Sequence, residues 1–172
     1  MRAIPLTVTA LAAALLLTAC NDDGGSKSGG KNSSACTLGG VSVQVGSASV
    51  APAAGDTGEI PVSITNQSKP CTLDDFPGVA LNPKGVAAKL SPQKGAKAQK
   101  LKLAKGDSAT FTISYVRGKA GDPKSLPATD MNITLPGGDV AQSFAWKYGP
   151  VAGRTGQSDP DASVSAFQQV GD

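Results

Sequence analysis

An alternation of apolar and polar side chains with period two is the pattern that most constrains this chain. Between residues 109 and 116, Ala109, Phe111, Ile113 and Tyr115 fall on one side and Thr110, Thr112 and Ser114 on the other, as in a half-buried strand. Val41, Val43 and Val45 alternate in the same way with Ser42 and Gln44, and Ile60, Val62 and Ile64 with Pro61, Ser63 and Thr65. β-Branched residues, stiff at χ1 and favoured on pleated surfaces, fill most of these apolar positions. Shorter candidates lie at 79–81, 86–90 and 101–103, set apart by Asn-Pro, Lys-Gly and Ser-Pro breakers. The segments 131–135 and 140–146, joined through Pro136-Gly137-Gly138-Asp139, complete the set. No helical stripe follows residue 20. About eight short strands within 36–148 predict an all-β fold, an immunoglobulin-like antiparallel β-sandwich, with a small barrel as the alternative. Trp146 follows both Cys36 and Cys71 rather than lying between them, so the likeness to antibody domains extends to architecture only.

Four Phe, one Trp and two Tyr in 172 residues leave the core to Val, Ile and Leu. Gly and Pro, 21 and 12 residues, stay below the roughly one quarter that marks a low-complexity chain, so they read as turns between strands. Histidine is absent. A group poised near neutral pH for acid-base work therefore lacks its usual carrier, and imidazole sites for zinc or copper cannot form. The net charge of +3 is too small to argue for nucleic acid as a partner. No cofactor is expected.

The N-terminus carries an address. Met1-Arg2 is followed by an uncharged stretch to Ala19 whose centre is the run from Leu11 to Leu17, a signal-peptide layout. A spanning helix needs about 20 apolar residues, whereas this run stops at Cys20 and enters Asn21-Asp22-Asp23-Gly24-Gly25. Leu17-Thr18-Ala19-Cys20 resembles the lipobox of bacterial lipoproteins. That resemblance implies removal of residues 1–19 and attachment of fatty-acyl chains of the palmitate class to Cys20. Two or more chains would hold the protein stably at the membrane, so it is expected on the outer face of the cell membrane, lipid-anchored. Residues 20–35, rich in Gly and Ser, read as a flexible tether. Residues 36–148 read as the folded domain and 149–172 as a polar tail, either disordered or lying along the domain with Phe167 buried.

With Cys20 lipidated, Cys36 before the first strand and Cys71 after the second remain. An exported, oxidising location favours a Cys36–Cys71 disulfide; the alternative, a reactive thiol pair, usually spaces its cysteines two residues apart.

The stretch AAGDTGEIPVSITNQSKPCTLDDFPGV, residues 53–79, resembles the signature of the bacterial domain-of-unknown-function family 4232 of high-GC Gram-positive cells. Ala54-Gly55, Thr65-Asn66, Cys71-Thr72-Leu73 and Phe76-Pro77-Gly78-Val79 carry the likeness. It continues through Lys84-Gly85 and through Leu103 to Ala109 and covers residues 36–135. The resemblance implies an all-β, exported or lipid-anchored domain and no assigned activity. Asp75 stands where the family usually has Gly. Asn66 is expected to bond its own backbone two residues on, and Pro77-Gly78 to make a type II turn with positive φ at the glycine.

Several constellations are weighed for chemistry. Lys84, Lys89, Lys94, Lys97, Lys100, Lys102 and Lys105 form a run without an acidic residue, suited to anionic headgroups or wall polymers or, more simply, to guarding a sheet edge. Asp74-Asp75 is the one acidic pair within the domain and reads as a turn before it reads as a catalytic dyad; Asp22-Asp23 and Asp159-Pro160-Asp161 lie in the tether and tail. No G-x-S-x-G elbow occurs, and only Met131 remains as a soft thioether ligand in the mature chain. Trp146 and Tyr148 share a face by period two, as a core cap or an aromatic patch. The expectation is therefore a membrane-anchored extracytoplasmic lipoprotein, not an enzyme, that serves as a binding or structural module of the envelope. An envelope protein or anionic polymer is the expected partner class. Anionic-surface adhesion through residues 84–105 and a small envelope enzyme using a carboxylate pair are the alternatives.

Overall fold

The computed structural model describes residues 34–82 and 87–170. The expected signal peptide, the expected lipidation site Cys20, the expected tether up to residue 33, and Lys84 lie outside these residues. Twelve strands follow one 3-10 turn at Leu38–Gly40: β1 (Val41–Val45), β2 (Thr57–Asn66), β3 (Cys71–Asp74), β4 (Gly78–Asn82), β5 (Ala88–Lys89), β6 (Ser91–Pro92), β7 (Lys100–Leu103), β8 (Ser108–Val116), β9 (Asp130–Thr134), β10 (Ala141–Ala145), β11 (Ala162–Val164) and β12 (Gln168–Gln169). Among the described residues no helix is long and apolar enough to cross a membrane.

The strands form a sandwich-like arrangement with no closed barrel. One sheet runs β1-β2-β8-β11-β6, with β12 also on β8; a second runs β10-β9-β4-β5; β3 and β7 form a two-stranded third. The orders β1-β2-β8 and β10-β9-β4-β5 reproduce the two-sheet layout of immunoglobulin-like sandwiches. The pairing of β11 with β6 is parallel, a departure from the expected all-antiparallel pattern.

The β2–β8 ladder is the longest, from Thr57 opposite Val116 to Thr65 opposite Ser108. Its inward pairs, Ile60 with Ile113, Val62 with Phe111 and Ile64 with Ala109, are all buried and face Val79, Leu81, Met131 and Ile133 of the second sheet. Pro61 is tolerated inside β2 because its nitrogen faces the β1 side, where β1 has already ended at Val45. Only its carbonyl is used there, accepting from the Gly46 amide at 2.8 Å.

The eight expected strands are present, and β3, β6, β11 and β12 are additional. Two boundaries also move. Ser34 and Ala35, expected in the tether, already belong to the fold: the Thr72 amide donates to the Ser34 carbonyl at 2.7 Å, and Ala35 bridges Thr72. At the other end the domain does not stop at Tyr148, because residues 151–169 return along β8. Ala162 and Val164 pair opposite Tyr115 and Ile113, and Gln168 and Gln169 opposite Thr110 and Ala109. Three residues, Ser165 to Phe167, therefore face two, Thr112 and Phe111, which makes a β-bulge. The extra residue reverses the side on which the chain's side chains point. Phe167 thereby turns inward, fully buried, with its ring edge-on to Phe111 at 5.4 Å. Of the two readings left open for the tail, burial of Phe167 is the one the structure adopts.

The Cys36–Cys71 disulfide is formed, with both residues buried and 4.9 Å between the Cα atoms. Closing a loop with a sequence separation of 35 is worth about 4 kcal/mol in the chain-entropy account. Beside it, Asn66 is completely buried. Its Nδ2 donates to the carbonyls of Lys69, Leu103 and Ala104 at 3.1, 3.0 and 3.2 Å, and its Oδ1 accepts from the Ser68 amide at 3.0 Å. One amide thus closes the β2–β3 connection onto the β7–β8 turn.

The turn expected at Pro77-Gly78 is drawn differently. Gly78 is not among the glycines with positive φ; it opens β4, and its missing Cβ leaves room for the Thr134 hydroxyl on β9. The positive φ falls on Asp75, at 108°, the one non-glycine among the described residues with this backbone. Its Oδ1 accepts from the Phe76 amide at 2.8 Å, partly offsetting the strain.

Three outcomes follow for urea unfolding of the full chain. Asn66→Ala is expected to lower the unfolding free energy by about 2–4 kcal/mol, because buried carbonyls lose their donor. Asn66→Asp, nearly the same shape, is expected to cost more, since it aims a carboxylate oxygen at three carbonyl oxygens; an Asp variant as stable as wild type would refute this account of the site. Asp75→Gly is expected to raise stability by about 0.5–1 kcal/mol despite losing its hydrogen bond, and a destabilised glycine variant would show that the side chain matters more than the strain.

Candidate functional site

The residues singled out in the sequence do not converge. Asp74 ends β3 and forms an exposed ion pair with Lys100, its neighbour on β7, at 2.9 Å. Asp75 is occupied in its own turn. Neither carboxylate lines the groove beside β4 and β9 or the two depressions described below. Lys89 lies on β5, Lys100 and Lys102 on β7, Lys94 and Lys97 in the connection between β6 and β7, and Lys105 in the turn before β8. They spread over separate sheets. Lys100 and Lys102 point outward while Leu101 and Leu103 are more buried, the arrangement of a charged sheet edge. Among the described residues no group of three or more Cys, Asp or Glu is placed to hold a metal.

A cleft is instead built where neither charge nor motif pointed. The two long connections of the domain, residues 117–129 between β8 and β9 and 146–161 between β10 and β11, meet beyond the Thr57–Val116 end of the central ladder. Their backbones are zipped together. Gly118 donates to the Pro150 carbonyl at 2.9 Å, Leu126 and Val151 exchange bonds at 2.7 and 2.9 Å, and Ala152 donates to the Val116 carbonyl at 2.8 Å. Leu126 and Val151 are buried and belong to the hydrophobic core of the domain, so the loops are anchored to its body.

Successive turns stiffen the first loop: Asp122 donates to the Lys119 carbonyl, Ser125 to the Asp122 carbonyl, and the Lys124 amide to Asp122 Oδ1 at 2.8 Å. The resulting cleft holds about 560 Å³, inside the range of small-ligand sites. Pro123, Pro127, Pro150 and the buried Trp146 form apolar walls, and Lys119 and Lys147 stand at the rim. A smaller depression of about 240 Å³, containing Arg117, Pro52 and Ala53, adjoins it through Lys119, Ala120 and Pro150.

Aromatic packing fixes the floor. Trp146 lies edge-on to Tyr148 at 4.9 Å and to Tyr115 at 5.2 Å, and its Nε1 donates to the Gly149 carbonyl at 2.6 Å. Tyr115 fits because Gly58 is opposite it on β2, where any Cβ would overlap the ring. Its hydroxyl accepts from the Ala51 amide and donates to the Tyr148 carbonyl, both at 3.3 Å. Trp146 and Tyr148 therefore cap the core, and Trp146 also contributes one wall of the cleft. Apart from the Trp146–Tyr148 pair, the signal in the sequence was negative: both loops are long stretches without period two, and long ordered loops tend to carry function.

Burial raises the Tyr148 phenol above the ordinary tyrosine range, and nearby Tyr115 pushes it the same way. The fold thus favours the neutral phenol. The associated stability is fully present below the unfolded value of about 10 and is lost as pH rises through the higher folded-state value. Tyr148→Phe is expected to lose less of its melting temperature than wild type on titration above pH of about 10; parallel losses in the two proteins would contradict this assignment.

The sequence model of one protein family, described as Domain of unknown function (DUF4232), matches residues 36–168. Its end at residue 168 agrees with the structure in including β11 and the bulge that buries Phe167. No curated protein and no solved structure matches the chain. With the model matching from the first disulfide cysteine to β12, the chain belongs to the DUF4232 family.

Proposed function

We propose that the protein is a membrane-anchored, extracytoplasmic, non-catalytic binding module, held at the outer face of the cell membrane through Cys20 and presenting the 117–129/146–161 cleft away from it. The supporting observation is the polarity of the sandwich. Ser34, the Cys36–Cys71 disulfide and Asn66 lie at one end of the β2–β8 ladder, and the cleft lies beyond the other. A nine-residue ladder spans roughly 25–30 Å at strand rise. A chain tethered at its N-terminus would therefore turn the cleft outward. An envelope protein or an envelope polymer is the partner class that such a position reaches.

Adhesion to anionic surfaces through residues 84–105 is less well supported, because Lys100 is engaged by Asp74 and the described lysines are dispersed. The enzyme reading draws no support from Asp74 and Asp75, which are engaged by Lys100 and by the Phe76 amide and lie apart from the 117–129/146–161 cleft.

Cys20→Ser is expected to move the protein from the membrane fraction to the soluble extracytoplasmic fraction and to leave the thermal unfolding of the domain unchanged. Membrane retention of the serine variant, or a wild-type chain found soluble, would overturn the anchoring half of the proposal.

A further inference from the structure

Arg117 is held in an unusual state for a cation. Its Nη1 donates to the Ala51 carbonyl at 2.7 Å and lies 3.4 Å from the Pro52 carbonyl, and among the described residues no carboxylate forms an ion pair with it. Nε and Nη2 make no hydrogen bond among the described residues and lie against Gly149, 3.3 and 3.5 Å from where a Cβ there would be. Since Gly149 also lines the larger cleft and Arg117 the smaller depression, the guanidinium stands where the two meet. Its orientation is fixed in advance by buried backbone, which reduces what binding must order.

The charged groups around it are of both signs. Lys119 and Lys147 line the larger cleft together with Asp122, and the Asp56 carbonyl accepts from the Arg117 amide. Of the nearby acids, Asp56 accepts from the Ala53 amide and Asp122 from the Lys124 amide. Asp159 and Asp161 are engaged by Arg154, at 3.3 and 3.1 Å. A guanidinium with free N–H groups in a fork suits a carboxylate or phosphate better than any neutral group, and the proline and tryptophan walls beside it suit an apolar body.

Resting on the reading of the cleft as a binding site, we infer that this end of the domain selects a small organic anion, with its charged group on Arg117 and Lys119 and its apolar body against Pro123, Pro127, Pro150 and Trp146. The ligand class is a carboxylate or phosphate joined to an aliphatic or ring-shaped body. Because the charge and the apolar body are read by different residues, neither part alone should bind well.

Trp146 is the only tryptophan of the chain, so intrinsic tryptophan fluorescence reports on the cleft alone. The full chain is titrated with cyclohexanecarboxylate, with cyclohexylmethanol and with acetate, none of which absorbs where tryptophan does. Saturable binding of cyclohexanecarboxylate is expected, about tenfold tighter than of either probe that lacks one half. Arg117→Gln should make the acid bind no better than the alcohol. Lys119→Gln, at an exposed position with no side-chain partner among the described residues, should weaken the acid alone by a few fold, and it serves as the test if the Arg117 variant does not fold. Equal affinity for acid and alcohol in wild type, or unchanged acid affinity in the Lys119 and Arg117 variants, would overturn the anion inference and leave the cleft a binding site. No saturable response to either ring compound would remove the binding reading of the cleft itself.

Discussion

The hydrogen-bonded ladder between β2 and β8 is the interaction on which the rest of the molecule depends. Its register places every inward side chain of one strand beside one of the other, and a slip of a single residue would exchange Ile60, Val62 and Ile64 for Glu59, Pro61 and Ser63 at the core. The same register sets both ends of the domain. At one end Gly58 faces Tyr115, which lets the phenol ring lie across the strand and tie the 46–56 and 146–161 connections together. At the other end Thr65 and Ser108 share a hydroxyl bond of 2.7 Å, and the next residue of β2 is the buried Asn66.

The two ends are closed by different chemistry. Near Ser34 the closure is polar and covalent, through the Asn66 amide and the Cys36–Cys71 bond. Near the cleft it is aromatic and apolar, through Tyr115, Trp146, Tyr148 and the Leu126–Val151 pair. With so few aromatic residues in the chain, concentrating three of them at one end leaves the middle of the core to aliphatic side chains, with Phe111 and Phe167 as its largest members. Such a division fits the proposed binding module, whose loops would be held fixed at one end while Ser34 enters at the other.

Strands whose inner residues repeat strictly at period two, such as β1, β2, β8 and β9, were legible in the sequence because half-burial writes itself into that period. β11 and β12 were not, because the bulge at Ser165–Phe167 sets Val164 and Phe167 three residues apart, an odd spacing that breaks the alternation while keeping both inside. β6, of two residues, is too short to show a period, and β3 alternates over four residues only; β3 is held by β7 and β6 by β11. The disulfide was readable from cysteine arithmetic together with the oxidising location that the N-terminal segment leads one to expect. The cleft was not: its residues are brought together by backbone bonds between two aperiodic loops, and Arg117 is held there by the Ala51 carbonyl rather than by an ion pair, which no local stretch of sequence records.

The opposed placement of Ser34 and the cleft has a mechanical side. A pull exerted between a tether at one end and a ligand held at the other would run along the strands, so that the bonds of β1–β2 and β2–β8 would be loaded together in shear instead of being opened one after another. Tension arriving at Ser34 and Ala35 would pass first to Thr72 and then, through the Cys36–Cys71 bond, into two segments of the fold at once. Geometry of this kind lets a small domain bear a lengthwise load at both ends without its first strand peeling away.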